Sequence, residues 1–221
     1  KEFTLQSILV TEKQILLEYL VDACSEVFIF DYEGRETGRL PLPKYSSLAD
    51  WSGRRNEEEF FYSVGSFTCS KIIYRYDPKT KTYSIYRTTD SPLKPEDYEV
   101  KQEWYKSKDQ TKIPMFIVHK KSLVKNGTNP TILYGYGGFG IIQTPGFNRN
   151  LTPWLRRGGI FAVANIRGGG EFGEHWHKSG IKELKQNSFD DFIAAAEYLT
   201  AEKYTDKNHL GIMGGSNGGL L

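Results

Sequence analysis

The sequence is short of the side chains that carry metal and redox chemistry, with two cysteines, four histidines and two methionines in 221 residues. Cys24 and Cys69 are too few for a disulfide framework, so free thiols in a reducing cytoplasm are expected. No H-E-x-x-H is present and no cysteine accompanies the histidines, which leaves zinc without a ligand set. An excess of one charge is also missing. The 29 Lys and Arg residues are scattered against 27 Asp and Glu, and this excludes a basic field for nucleic acid or an anionic membrane. No run approaches the ~18 apolar residues of a membrane helix, and no G-x-x-x-x-G-K-[ST] phosphate loop occurs. Glycine is scarce early, since only five of 22 precede residue 131.

That asymmetry separates two architectures. The early part is rich in short aromatic and β-branched runs: Gln14 to Val21, Glu26 to Phe30, Phe60 to Val64, Lys71 to Tyr76 and Thr82 to Arg87. These are predicted strands. Asp77-Pro78-Lys79-Thr80 supplies turn residues, so Ile72 to Arg87 is a predicted hairpin. A repeat lies underneath. Cys24 to Asp31 can be laid on Cys69 to Asp77, with an offset of 45 residues at the cysteines and 46 at the aspartates. An all-strand period of about 40 to 50 residues points to propeller blades, with a plain antiparallel sandwich as the competing reading. Two blades leave apolar faces uncovered, so further blades are expected before residue 1. Ser52 to Glu59 is expected to be a solvated loop.

A proline- and charge-bearing connection, Ser91 to Asp97, marks the expected boundary between domains 1–90 and 91–221. Tyr98 to Ser107 and Ile113 to Lys120 then form an expected hairpin, with His119 a core or surface residue in its second strand. Buried-type runs follow at Thr131 to Tyr134, Ile160 to Ile166 and Leu210 to Met213. A helix precedes the last of these. Ser188 with Asp191 three residues on resembles a capping box, and Phe189, Phe192, Ile193, Ala196 and Leu199 form one apolar face. Such alternation predicts an α/β fold with a mostly parallel sheet.

Two glycine loops imitate a dinucleotide fingerprint: Gly135 to Gly140, and Gly168 to Gly173 with Asp190 about twenty residues on. Neither qualifies, because the fingerprint needs a helix opening at the glycines and an acidic residue ending the next strand, whereas Asp190 sits in a helical first turn. Glu174-His175-Trp176-His177 is a poor metal site, since histidines two residues apart point to different sides. Burial of Trp176, with one or both histidines in loop hydrogen bonds, is the better reading.

The chemistry gathers at Gly214-Gly215-Ser216-Asn217-Gly218-Gly219, a G-x-S-x-G pattern directly after a strand. A serine raised on a sharp strand-to-helix turn needs neighbours without a Cβ, and Gly214, Gly218 and Gly219 supply them. A flexible turn with an incidental serine is the bland alternative. Serine is a weak nucleophile without a histidine base oriented by a carboxylate. In the α/β-hydrolase order both follow the serine, yet His119, His175, His177 and His209 all precede Ser216. The oxyanion hole is expected from the Asn217 backbone N–H and a donor in the earlier Tyr136 loop. Lys1 to Thr4 shows neither an initiator methionine nor a leader, so the chain is expected to be an internal piece of a longer soluble protein.

Tyr134 to Phe139, Ala164 to Glu171 and Gly214 to Leu221 together resemble the successive motifs of the prolyl oligopeptidase family, and the similarity extends through Asp109 to Lys120 into the strand-rich part. The resemblance implies an α/β-hydrolase domain, partial here, with residues 1–90 as the last two blades of a seven-bladed β-propeller. It implies a cytoplasmic serine peptidase that cleaves short peptides after proline, with no cofactor, no metal and no nucleic-acid or membrane partner, monomeric when intact. Ser216 would be the nucleophile, Tyr136 and the Asn217 amide the oxyanion hole, and Phe139 part of the proline pocket. Residues 1–221 alone are expected to be inactive. Two alternatives stand: a hydrolase-like interaction protein that lost its later triad members, or a carboxylesterase, which would lack the HGGG loop of lipases.

Overall fold

A computed structural model describes residues 3–221. The chain forms two compact units: residues up to Pro92 together with Thr144–Phe147, and Leu93–Gln143 together with Asn148–Leu221.

The first unit is built from two four-stranded antiparallel meanders. One runs β1 (Thr4–Val10), β2 (Ile15–Val21), β3 (Cys24–Phe30) and β4 (Glu36–Arg39); the other runs β5 (Ser46–Gly53), β6 (Phe60–Ser66), β7 (Ile72–Asp77) and β8 (Thr82–Thr88). Period-two alternation positions the core, as in β2, where Leu16, Glu18 and Leu20 are buried in turn. Leu9, Leu16, Val27 and Ile29 pack in one cluster with Phe60, Tyr62, Val64 and Tyr76. Fully burying one such aromatic contributes roughly 2–3 kcal/mol. Tyr62 and Tyr74 stack at 5.0 Å, as do Phe60 and Tyr76. Glu18, buried between Leu16 and Leu20 along β2, accepts hydrogen bonds from Ser7 Oγ at 2.6 Å and Ser25 Oγ at 2.7 Å.

The sequence repeat falls on equivalent strands, since β3 and β7 are each third in their meander. Its physical content lies at the ends of these strands. Asp31 Oδ1 accepts the N–H groups of Glu33 and Arg35, and Asp77 Oδ1 accepts that of Lys79. Each aspartate therefore opens the turn into the fourth strand by the same side-chain bond.

The second unit holds a five-stranded mixed sheet: β9 (Tyr98–Lys106), β10 (Lys112–Lys120), β11 (Thr131–Tyr134), β12 (Ile160–Ala164) and β13 (Leu210–Met213), in the order β13-β11-β12-β10-β9. β13, β11 and β12 are parallel, while β10 and β9 are an antiparallel hairpin added beside β12. Its helices are α1 (Thr152–Arg156), α2 (Glu174–Lys178), α3 (Gln186–Ala201) and α4 (Asn217–Leu220). Phe192, Ala195 and Leu199 of α3 join Met115, Ile117, Leu133 and Ala162 of the sheet in one core.

Two local expectations are overturned here. α3 begins at Gln186, so Ser188 and Asp191 are not its cap but lie inside it, both buried. The buried face runs through Ser188, Asp191, Phe192, Ala195 and Leu199, and Ile193 is 53% exposed. The physical reason is that Ser188 and Asp191 bond to the loop after β12 and turn that side of the helix inward. The loop expected from Ser52 also starts later, because β5 carries Ser52 and Gly53 in pairing with Phe61 and Phe60.

Candidate active site

β13 ends at Met213, two glycines follow, and α4 starts at Asn217. Ser216 sits between them with φ 52° and ψ −116°, a conformation that a side chain with a Cβ rarely adopts. Held strain of this kind, on a strand-to-helix turn, is what a nucleophile elbow consists of. The side chain is exposed. A Cβ on Gly214 would overlap the carbonyl of Gly218, and a Cβ on Gly218 would overlap that of Gly135. Backbone therefore packs on backbone at both ends of the turn. Gly219 departs from the expectation: a Cβ there meets nothing within 4 Å, so the turn does not need it.

Asn217 joins the elbow to the loop after β11. Its Nδ2 donates to Tyr136 O at 2.5 Å. Its own backbone N–H, at the first position of a helix, has no partner inside that helix. The structure thus brings Ser216, Asn217 and the Tyr136 loop together. Phe139, in the same loop, has φ 56° and a side chain 77% exposed.

The sequence assigns no role to three further residues around these loops, although Arg167 and Glu171 fall within the Ala164 to Glu171 motif. Lys185 Nζ donates to Gly137 O at 2.6 Å, and burial lowers the lysine pKa. Arg167, in the loop after β12, pairs its guanidinium with Asp191 and Asp109. Glu171, 2% exposed, accepts the Gln143 N–H at 2.9 Å, and burial pushes its carboxyl up to about 7. A lysine, an arginine and a glutamate near glycines carry no spacing signal that distinguishes them from solvated charges.

The histidines have other employment. His119 is buried, with Nδ1 at 2.8 Å from Lys120 O. His177 Nδ1 lies 2.8 Å from Gly168 O, beside the buried Trp176 of α2, and exposed His209 pairs with Asp206 at 2.7 Å. Among the described residues no group of three or more His, Cys, Asp or Glu side chains is placed to hold a metal, and no helix is long and apolar enough to cross a membrane. Cys24 and Cys69 are free thiols, and burial raises Cys24 to about 12.

Two family models match the chain. Residues 1–89 match the prolyl oligopeptidase N-terminal β-propeller domain, and residues 145–221 match the prolyl oligopeptidase family. The chain belongs to the prolyl oligopeptidase family. Its two meanders are accordingly propeller blades, and its mixed sheet belongs to an α/β-hydrolase domain. The chain is 42% identical to a prolyl endopeptidase of Elizabethkingia meningoseptica over 92% of its own length and 29% of that protein's. It is 47% identical to prolyl oligopeptidase A of Galerina marginata over 93% of its length and 28% of the relative's. The structure of prolyl oligopeptidase B from Galerina marginata, bound to a 25mer macrocyclization substrate, superposes with a TM-score of 0.93 at 42% identity, covering all of this chain and 31% of that one. The chain therefore spans under a third of the length of these family members.

Proposed function

We propose that the protein containing this chain is a serine-type endopeptidase that cleaves short peptides on the carboxyl side of proline through an acyl-enzyme. The observation that carries this reading is the backbone of Ser216, held at φ 52° on a strand-to-helix turn beside the Tyr136 loop. Ser216 Oγ attacks the carbonyl carbon of the proline residue, and its proton passes to a histidine base oriented by a carboxylate. Neither group is assigned among residues 1–221. The oxyanion is stabilised by the Asn217 N–H and the Tyr136 hydroxyl, donors aimed at charge that develops only in the transition state. Collapse breaks the C–N bond and releases the protonated amine. Water then attacks the serine ester and regenerates the hydroxyl. Phe139, exposed in the loop that carries Tyr136, lines the proline pocket.

Residues 1–90 are the last two blades of a seven-bladed propeller, and residues 91–221 are the first part of the catalytic domain. Residues 1–221 alone do not turn over peptides. The intact enzyme acts as a monomer in the cytoplasm, without metal or cofactor, and its free thiols fit that compartment. In the full-length protein, Ser216→Ala abolishes both cleavage of a proline-containing reporter peptide and labelling by a serine-directed phosphonate. Retained turnover in that variant removes the assignment.

A further inference from the structure

The loops leaving β11 and β12 lie backbone against backbone. Gly140 N–H donates to Gly168 O at 3.1 Å, and a Cβ on Gly170 would overlap the Gly140 carbonyl. Two side chains span this crossing, Glu171 and Asn165, which are 2% and 0% exposed. Glu171 Oε1 accepts the Gln143 N–H at 2.9 Å, while Asn165 Nδ2 donates to Gln143 O at 2.6 Å and to Glu171 Oε1 at 3.3 Å. Both backbone groups of Gln143 are held. Gln143 lies at the far end of the loop that carries Tyr136 and Phe139. Its near end is held by Asn217 on Tyr136 O and by Lys185 on Gly137 O.

Glu171 Oε2 and Asn165 Oδ1 are buried with no hydrogen-bond partner among the described residues. Burying a carboxyl with one oxygen unpartnered is costly, and an amide or an apolar contact would anchor a merely structural crossing more cheaply. An unsatisfied buried carboxyl oxygen calls for an account, and a geometry that has to be fixed supplies one.

We propose that Glu171 is a positioning residue for the oxyanion loop: through Gln143 it clamps the segment 135–143, so that the Tyr136 hydroxyl meets the oxyanion formed above Ser216. This inference rests on the assignment of Tyr136 as an oxyanion donor. Such donors act in the transition state and little in the ground state, so loosening the clamp lowers kcat and leaves KM nearly unchanged. Misplacement of a catalytic group by about 1 Å is worth up to about a hundredfold in rate.

The test uses the full-length protein and a proline-containing reporter peptide, with Glu171→Ala, Glu171→Gln, Tyr136→Phe and the double variant Glu171→Ala/Tyr136→Phe. Glu171→Ala is expected to lower kcat about tenfold or more with KM within about threefold. Glu171→Gln restores kcat to within about threefold of wild type, because its amide oxygen still accepts from Gln143. In the Tyr136→Phe background the alanine substitution costs less than about threefold more, since its effect passes through the phenol. Wild-type kcat in Glu171→Ala overturns the proposal, as does a glutamine variant no better than alanine, or losses that simply multiply. Tyr136→Phe at wild-type kcat removes the oxyanion assignment itself, and the single variant thereby separates that failure from failure of the clamp. If Glu171→Ala yields no folded protein, Asn165→Ala releases the other side of Gln143; the same kcat loss, absorbed in the Tyr136→Phe background, supports the clamp, and unchanged kcat overturns it.

Discussion

The Arg167 guanidinium and the Asp191 carboxylate meet through three hydrogen bonds, Nη2 to Oδ1 at 2.6 Å and Nε to Oδ2 at 3.0 Å and to Oδ1 at 3.2 Å, with side chains 6% and 0% exposed. Asp191 also accepts the Arg167 backbone N–H at 3.0 Å, and Asp109 takes another edge of the guanidinium at 2.6 Å. The turn between β9 and β10, the loop after β12 and helix α3 are thereby tied at one cation. Burial works against the Arg167 charge, but bonds to Asp191 and Asp109 outweigh it and raise its pKa. The hydrogen bond from Arg167 holds Asp109 down to about 2.

Removing one partner strands a buried charge. Arg167→Met is expected to destabilise the full-length protein by about 3–5 kcal/mol, while Arg167→Met/Asp191→Leu costs less than the single change because no buried carboxylate is left unpaired there. Urea unfolding of wild type and both variants measures this. Equal midpoints for wild type and Arg167→Met would count against a stabilising role.

Glu171 ties stability to pH. Its carboxyl titrates near 7 in the fold against 4.5 unperturbed, because burial disfavours the charged form. The folded state binds the extra proton, so the stability it adds is fully present below pH 4.5, declines as pH rises and is lost above about 7. Over that window the change amounts to about 3 kcal/mol, at 1.36 kcal/mol per pH unit. No charged side chain is among the groups that shift it. Glu171→Gln cannot titrate, so its melting temperature should gain on wild type between pH 5 and pH 8. A difference constant across that range would contradict the assignment.

Tyr136→Phe keeps the ring and removes the hydroxyl. Loss of one oxyanion donor lowers kcat by about 10²–10³, with KM little changed. Steady-state kinetics on the proline reporter measure it, and phosphonate labelling of Ser216 should slow in parallel.

The elbow glycines are not equivalent. Gly218→Ala forces a Cβ into the Gly135 carbonyl, with an expected cost of about 1–3 kcal/mol from overpacking and slower phosphonate labelling. Gly219→Ala points into open space within α4 and should be neutral or stabilising by up to about 1 kcal/mol, since alanine favours helix over glycine. Thermal melts with labelling rates distinguish the two, and equal behaviour would show that the turn does not depend on this contact.

The strands legible in sequence are chiefly the inner ones. β2, β3, β6 and β7 each have a neighbour on both sides, and their apolar alternation records burial. β1, β4 and β5 carry no such signal. All three are edge strands: β1 leaves Leu5 and Ile8 about half exposed, and β4 is Glu-Thr-Gly-Arg. Backbone pairing holds such strands, and it leaves no side-chain pattern. The turn from β2 to β3 was equally silent, because Asp22 and Ala23 adopt φ 49° and 61° without a glycine.

The sequence by itself determined the position of the serine, Gly214 and Gly218 in its turn and the aspartates that open the blade turns, because each is a local demand on a few adjacent residues. Tertiary structure alone decided that Ser188 and Asp191 face a loop rather than cap a helix, that Arg167 meets carboxylates 24 and 58 residues away, and that Glu171 holds Gln143 across 28 residues. Those contacts form where separate segments cross in a buried site. Only there is a charge forced to find its partner.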